Sequence, residues 1–208
     1  DKELEQVAEA VAEIRATMPL KICACLGILR EEQAEKLREA GVHRYNHNLN
    51  TSRANYPSIT TTHTYDQRVA TVETARAHGM SPCSGVIIGM GESDEEIVEM
   101  ALALRELDAD SIPINFLNAI PGTPLEHSER VPALKALKVL ALFRFICPTK
   151  EIRVAGGREI SLRTLQPLSL YAANSIFVGD YMTTRGQDVT LDHQMIEDLG
   201  FEIEETAI

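Results

Sequence analysis

Residues 82–108 read PCSGVIIGMGESDEEIVEMALALRELD, and their order decides the fold class. Val86, Ile87 and Ile88 are β-branched and sit between glycines, the pattern of a short buried strand. Gly89 and Gly91 punctuate a turn. Ser93 and Glu96 then stand in capping-box spacing, and Glu95 and Glu96 fall in a first helical turn, where the helix dipole favours acids. A strand that runs through a glycine turn into a capped helix is one β/α unit.

The same alternation extends in both directions. The first helix candidate carries Leu4, Val7, Ala8, Val11 and Ile14 at helical spacing. KICACLG follows as a buried strand, and REEQAEKLREAG as a helix closed by Gly41. HRYNHNLN is the second strand. After a polar loop, THTYDQRVATVETARAHG is a helix with Thr64 and Gln67 in capping-box spacing and Gly79 at its end. Beyond the opening stretch, SIPINFL, EIRVAG and SIFVGD continue as strands. VPALKALKVLALFRFI is a helix with Pro132 in its first turn, LRTLQPLSLYAA a helix despite Pro167, and TLDHQMIEDLG a terminal helix. One apolar run alone could be part of a helix, but about six repeats of one rhythm argue for strands.

Such alternation means a parallel sheet with crossover helices. An open doubly wound sheet and a (β/α)8 TIM-type barrel both satisfy it. No GxGxxG follows the first strand and no GK[ST] occurs. The polar residues gather at strand C-terminal ends, where barrels collect their functional side chains. The reading is therefore an incomplete barrel of about six β/α units, with residues 1–208 one domain and the missing units upstream of Asp1.

The formal net charge of −11 and the absence of any Lys/Arg block argue against a nucleic-acid or anionic-membrane surface. No apolar run is long enough to span a bilayer. A small-molecule partner is expected. The four cysteines, Cys23, Cys25, Cys83 and Cys147, read as reduced thiols of a cytoplasmic protein.

Cys23 falls in the first strand, Cys83 in the third and Arg153 in the fifth. Two cysteines this far apart are a weak metal signal, and free cysteines are often simply small buried hydrophobes. Converging thiolates suit zinc, copper(I) or iron–sulfur clusters. A guanidinium directed into a barrel needs an anionic or carbonyl partner. Cys25 shares the strand face of Cys23 and is expected to be a packed neighbour; Cys147, before Pro148, is expected to be structural. In YNHNLNTS, Tyr45–Ser52, a regular strand would turn Asn46, Asn48 and Asn50 to one side, a costly row in a core. His47 would face away from them, and His43, His47, His63 and His127 show no HxxxH spacing.

With YNHNLNTS, PCSGVIIGMGE, SIPINFLNAIPGTPL, RVAGGRE and AANSIFVGDYMTT in this order, the chain resembles the biotin synthases of the radical S-adenosylmethionine superfamily, essentially end to end. The resemblance implies a barrel with two iron–sulfur clusters. A [4Fe–4S] cluster cleaves S-adenosyl-L-methionine to a radical that abstracts hydrogen from dethiobiotin, and a [2Fe–2S] cluster deeper in the barrel supplies the sulfur of biotin. By motif matching, Cys23, Cys83 and Arg153 fall on [2Fe–2S] ligands, so that Arg153 meets sulfide and thiolate charge. Asn46, Asn48 and Asn50 match the row at cofactor and substrate; Asn48 and Asn50 contact the ribose and the substrate, Asn115 supplies a substrate amide, and Ile87 an apolar contact to adenine. An asparagine amide complements both the N–H and the C=O of a ureido ring. The family also implies a flavodoxin-type or similar electron donor and a homodimer.

Two departures stand out. Some relatives carry an acidic residue where this chain has Asn50. The family's CxxxCxxC motif, which holds the [4Fe–4S] cluster, is absent from the 208 residues, as is the fourth [2Fe–2S] ligand. The expectation is a fragment that does not make biotin alone. The alternatives are a related radical SAM maturase or mutase barrel, which the joint presence of Cys23, Cys83 and Arg153 opposes, and a non-catalytic partial barrel.

Overall fold

The computed structural model describes residues 2–182 and 184–204. In chain order its elements are α1 (Lys2–Thr17), β1 (Cys23–Ala24), α2 (Glu31–Ala40), β2 (Arg44–Asn46), α3 (Tyr56–Ile59), α4 (Tyr65–Ala77), β3 (Ser81–Cys83) and β4 (Val86–Ile88). Then come α5 (Asp94–Glu106), β5 (Ser111–Phe116), α6 (Ala133–Ile146), β6 (Glu151–Val154), α7 (Arg158–Leu162), α8 (Gln166–Ser169), β7 (Ser175–Ile176) and α9 (Val189–Asp198).

Every strand pair is parallel, and the sheet order β1-β2-β3-β5-β6-β7 follows the chain, with β4 also paired to β5. A doubly wound sheet reverses its strand order at a switch point; this one winds in a single direction, as a (β/α)8 barrel does. The described sheet is open, with β1 and β7 at its edges. It is an incomplete TIM-type barrel.

β3 and β4 are the two halves of the strand expected over PCSGVIIG. Gly85 separates them for a steric reason: a Cβ there would lie 1.9 Å from the Pro113 carbonyl oxygen on β5. The offset also captures the chain after β2. The Asn50 N–H donates to the Gly85 carbonyl at 3.0 Å, and the Ile87 N–H donates to the Asn50 carbonyl at 2.7 Å. Asn50 reaches this pairing with φ +70°, a left-handed conformation that asparagine tolerates better than most residues.

The sheet's outer face carries the core. Ile112, Ile114, Ile152 and Val154 are fully buried and pack with Met100 and Leu104 of α5 and Leu140 and Phe143 of α6. Each such side chain contributes roughly 1.5–3 kcal/mol of burial. A second cluster, including Val11, Leu37, Tyr45 and Met80, sits between the early strands and the first helices. Thr64 and Ser93 close the capping boxes of α4 and α5 with Gln67 and Glu96, and a left-handed Gly41 ends α2.

Three local expectations change. The helix expected over LRTLQPLSLYAA is broken into α7, a 3-10 turn at Arg163–Leu165, and α8. Arg163 takes φ +51°, and Pro167 lacks an N–H and would collide with the Arg163 carbonyl in a continuous helix. Pro132 precedes α6 as its N-cap instead of lying in its first turn. The polar loop after β2 contains the short helix α3, with a proline in its first turn.

Gly85→Ala is expected to destabilise the protein by about 2 kcal/mol through overpacking on β5. Gly91, with open space at its Cβ position but φ +97°, should cost roughly 1 kcal/mol as Ala, from backbone strain alone. Urea denaturation of both variants checks the order.

Candidate functional site

Residues paired across parallel strands share a face, so the register defines an inner row set opposite the apolar one. One row runs Asn46–Cys83–Ser111–Glu151 across four strands. Its neighbours are Cys23–Arg44–Ser81 and Pro113–Arg153–Ser175. Polar and thiol side chains thus occupy the interior while the outer face is aliphatic. Ser111 and Glu151 open their strands and lie at the N-terminal end of this interior; Asn115 and Ile87 lie toward the C-terminal mouth.

Cys83 is buried, and its Sγ accepts a hydrogen bond from the Asn46 amide nitrogen at 3.1 Å. Cys23 is on the open edge strand and exposed on one side. Packing around its thiol, reinforced by the nearby Cys83, pushes its pKa up to about 11, against the opposing pull of Arg44 and Arg153. Arg153 donates from Nε to the Ser175 hydroxyl at 3.0 Å and from Nη2 to Glu151. Its Nη1 has no hydrogen-bond partner among the described residues. Cys23, Cys83 and Arg153 therefore stand on inner-face rows of one sheet, and both Cys83 and Arg153 act electrostatically on the Cys23 thiol. The two thiols are soft donors, and the two guanidiniums beside them would compensate thiolate and sulfide charge, which fits an iron–sulfur group. Among the described residues no three His, Cys, Asp or Glu side chains converge as metal ligands.

Beside these residues stand the amides. Asn46 Nδ2 also donates to Asn48 Oδ1 at 3.3 Å, and that oxygen accepts from the Gly85 N–H at 3.0 Å. β2 ends at Asn46, so Asn48 lies beyond the strand, and Asn50 takes a left-handed backbone in an isolated bridge to Val86. The expected row of three is a hydrogen-bonded pair plus a left-handed third. Asn115 spans the mouth: Nδ2 donates to the Val86 carbonyl at 3.1 Å and Oδ1 accepts from the Gly156 N–H at 3.0 Å. Each end keeps one further hydrogen-bonding position. Ile87, its register partner, is half-buried on the same face. The glycine turn after Ile87 is held by Glu92, whose carboxylate accepts from the Gly89 and Met90 N–H groups at 2.6 and 2.8 Å.

Of the other cysteines, Cys147 is buried as expected, whereas Cys25 is exposed, because β1 has no outer neighbour to pack on it. His47 is buried on the outer side; burial, then Arg68 and His63, push its pKa down to about 4. Arg68 fastens this strand end to α4 by donating to the Asn48 carbonyl at 2.6 Å. Arg44, Ser111, Glu151 and Ser175 are inner-face residues that sequence reasoning missed. Period-two parity in SIPINF and EIRV could have placed Ser111 and Glu151 there, though not their partners.

Comparison with known proteins decides the family. The model of the Radical SAM superfamily matches residues 1–104, half of the chain. The chain belongs to the radical SAM superfamily. The Biotin and Thiamin Synthesis associated domain matches residues 113–202, the second half of this radical SAM chain. Biotin synthase of Bacillus pumilus (strain SAFR-032) is 68% identical over 207 residues, 100% of this chain and 62% of the relative. Biotin synthase of Bacillus subtilis (strain 168) is 64% identical over 98% of this chain and 61% of its own length. The chain spans about three-fifths of the curated relatives it matches. Methylornithine synthase superposes with a TM-score of 0.83 at 20% identity, over 98% of this chain and 65% of the other. The [FeFe]-hydrogenase maturase HydG from Carboxydothermus hydrogenoformans gives 0.80 at 15%, over 97% and 52%. These likenesses show the barrel fold. No helix among the described residues is long and apolar enough to cross a membrane.

With a pKa near 11 against an ordinary 9.0, metal-free Cys23 should carry ~100-fold less thiolate at pH 8 than a free thiol. Iodoacetamide labelling followed by peptide mass spectrometry is expected to show correspondingly slow modification of Cys23, restored on unfolding; labelling at the unfolded rate would contradict the assignment.

Proposed function

We propose that the chain is the C-terminal part of a biotin synthase, residues 1–208 belonging to one (β/α)8 barrel domain of a cytoplasmic enzyme that inserts sulfur into dethiobiotin. The observation that supports this reading is that Cys23, Cys83 and Arg153 share the inner face of one parallel sheet with Asn46, whose amide donates to the Cys83 sulfur. Identity of 64–68% to relatives named biotin synthase supports it over a maturase or mutase barrel, for which only the fold speaks.

In this reading Cys23, Cys83 and Arg153 hold a [2Fe–2S] cluster. No residue of the chain is assigned to a [4Fe–4S] cluster, since CxxxCxxC does not occur in it. When bound, the two clusters and S-adenosyl-L-methionine supply the radical and the sulfur. The chain's own groups bind and orient. The Asn46 amide donates to the Cys83 sulfur and fixes its orientation. Asn115, fixed by Val86 and Gly156, presents a remaining donor and acceptor to a ureido ring. Asn48, whose oxygen is held by Asn46 Nδ2 and the Gly85 N–H, offers its Nδ2 donors. Asn50 offers an uncharged acceptor to a ribose hydroxyl, and Ile87 an apolar surface to adenine. A flavodoxin-type electron donor and a homodimer belong to the same reading.

Anaerobic reconstitution of the intact protein with iron and sulfide tests it. The unsubstituted protein should gain [2Fe–2S] absorption and convert dethiobiotin to biotin; Cys83→Ala should lose that absorption while any [4Fe–4S] signal persists. Unchanged spectra in Cys83→Ala would remove the ligand assignment.

A further inference from the structure

Glu151 is the one carboxylate of the inner rows described above, and it is shared. Arg44 Nη1 donates to both of its oxygens, at 3.1 and 3.4 Å. The Ser111 hydroxyl donates to Oε1 at 2.9 Å, and Arg153 Nη2 donates to the same oxygen. Arg44 is on β2 and Arg153 on β6, so the carboxylate ties together strands separated by β3 and β5. The three charged side chains keep only 23–28% of their exposure. A half-buried ion triad is weak as a source of stability, because desolvation cancels most of the attraction. What such a triad does supply is a fixed geometry.

That geometry bears on one atom. The Arg153 guanidinium has five N–H groups on three nitrogens. Ser175 engages Nε at 3.0 Å, Glu151 engages Nη2, and the Phe177 ring lies 5.4 Å from Cζ. With two nitrogens and the guanidinium plane tied down, Nη1 is the nitrogen without a hydrogen-bond partner among the described residues. We propose that Glu151 is a positioning residue: it holds the Arg153 guanidinium with Nη1 toward the thiols and reduces the excess positive charge of the Arg44–Arg153 pair to a single unit. This rests on the iron–sulfur reading above. It adds the residue that fixes an otherwise mobile arginine beside the thiols; ligation through Nη1 would release one Nη1 proton to solvent and leave the neutral guanidine, whose nitrogen lone pair would face the metal.

The experiment compares the intact protein with Glu151→Gln, which keeps the shape and one acceptor, and Glu151→Ala. In the unloaded protein, arginine side-chain 15N NMR reads rotation of each guanidinium, with the Arg153 signal assigned by its loss in Arg153→Lys. Resolved, slowly exchanging Nη signals are expected for the unsubstituted protein, and averaged ones in Glu151→Ala. In the reconstituted protein, both variants should retain iron and sulfide, since the thiols are untouched. Both should shift the cluster to a more positive reduction potential, because each removes a negative charge beside it. Glu151→Gln, which keeps an acceptor for Nη2, should retain slower Nη exchange than Glu151→Ala; equal exchange in all three forms would show that Glu151 does not fix Arg153. Averaged Arg153 signals in the unsubstituted protein, or identical potentials in all three forms, would overturn the proposal. If the unsubstituted protein takes up no cluster, the iron–sulfur reading fails, and the NMR comparison still decides whether Glu151 fixes Arg153.

Discussion

Residues paired across a parallel sheet must share a face, and in this molecule that constraint sorts apolar from chemical side chains. Ile112, Ile114, Ile152 and Val154 go outward to the helices because their register partners do. Their chain neighbours Ser111, Pro113, Glu151 and Arg153 must then go inward. A slip of one residue would place charges against α5 and α6 and aliphatic groups in the interior, so the core enforces the site. The close approach of Gly85 to the Pro113 carbonyl locks that register at the centre of the sheet, and the end of β2 is positioned against the same step.

The interior that results is electrostatically coupled. Two guanidiniums from opposite sides share one carboxylate, and both lie within reach of the Cys23 thiol. Burial and a second thiol hold protons on Cys23; the arginines act the other way. Such a pocket resists ionisation when empty of metal and accepts thiolate charge once a cationic centre arrives, because metal binding must displace the thiol protons. Along the barrel the polar side chains are layered, from the Glu151 network through the thiols to the Asn48 and Asn115 amides.

Much of this was legible in the residues. The capping boxes at Thr64 and Ser93 and the left-handed Gly41 are local devices, and they appear where expected. Strand positions followed from β-branched runs between glycines. What failed depends on neighbours distant in sequence. Asn50 leaves the strand pattern because β4 is offset by Gly85, a fact of packing against β5. Glu151 is 107 residues from Arg44, so no spacing rule connects them. The resemblance pairs Arg153 with sulfide and thiolate charge; its charged partner among the described residues is the Glu151 carboxylate. Cys25 is exposed because β1 is an edge, which a barrel-wide reading of strands hides. The helix around Pro167 failed for a local reason, since its periodicity outweighed the proline.

The central claim is that the Arg153 guanidinium faces the two thiols as a ligand. Pulsed EPR of the reduced [2Fe–2S] cluster, in intact protein labelled with guanidino-15N arginine, measures it directly. The account predicts a strong 15N hyperfine coupling from one arginine, lost in Arg153→Lys. A reduced cluster without arginine coupling in the unsubstituted protein would contradict it.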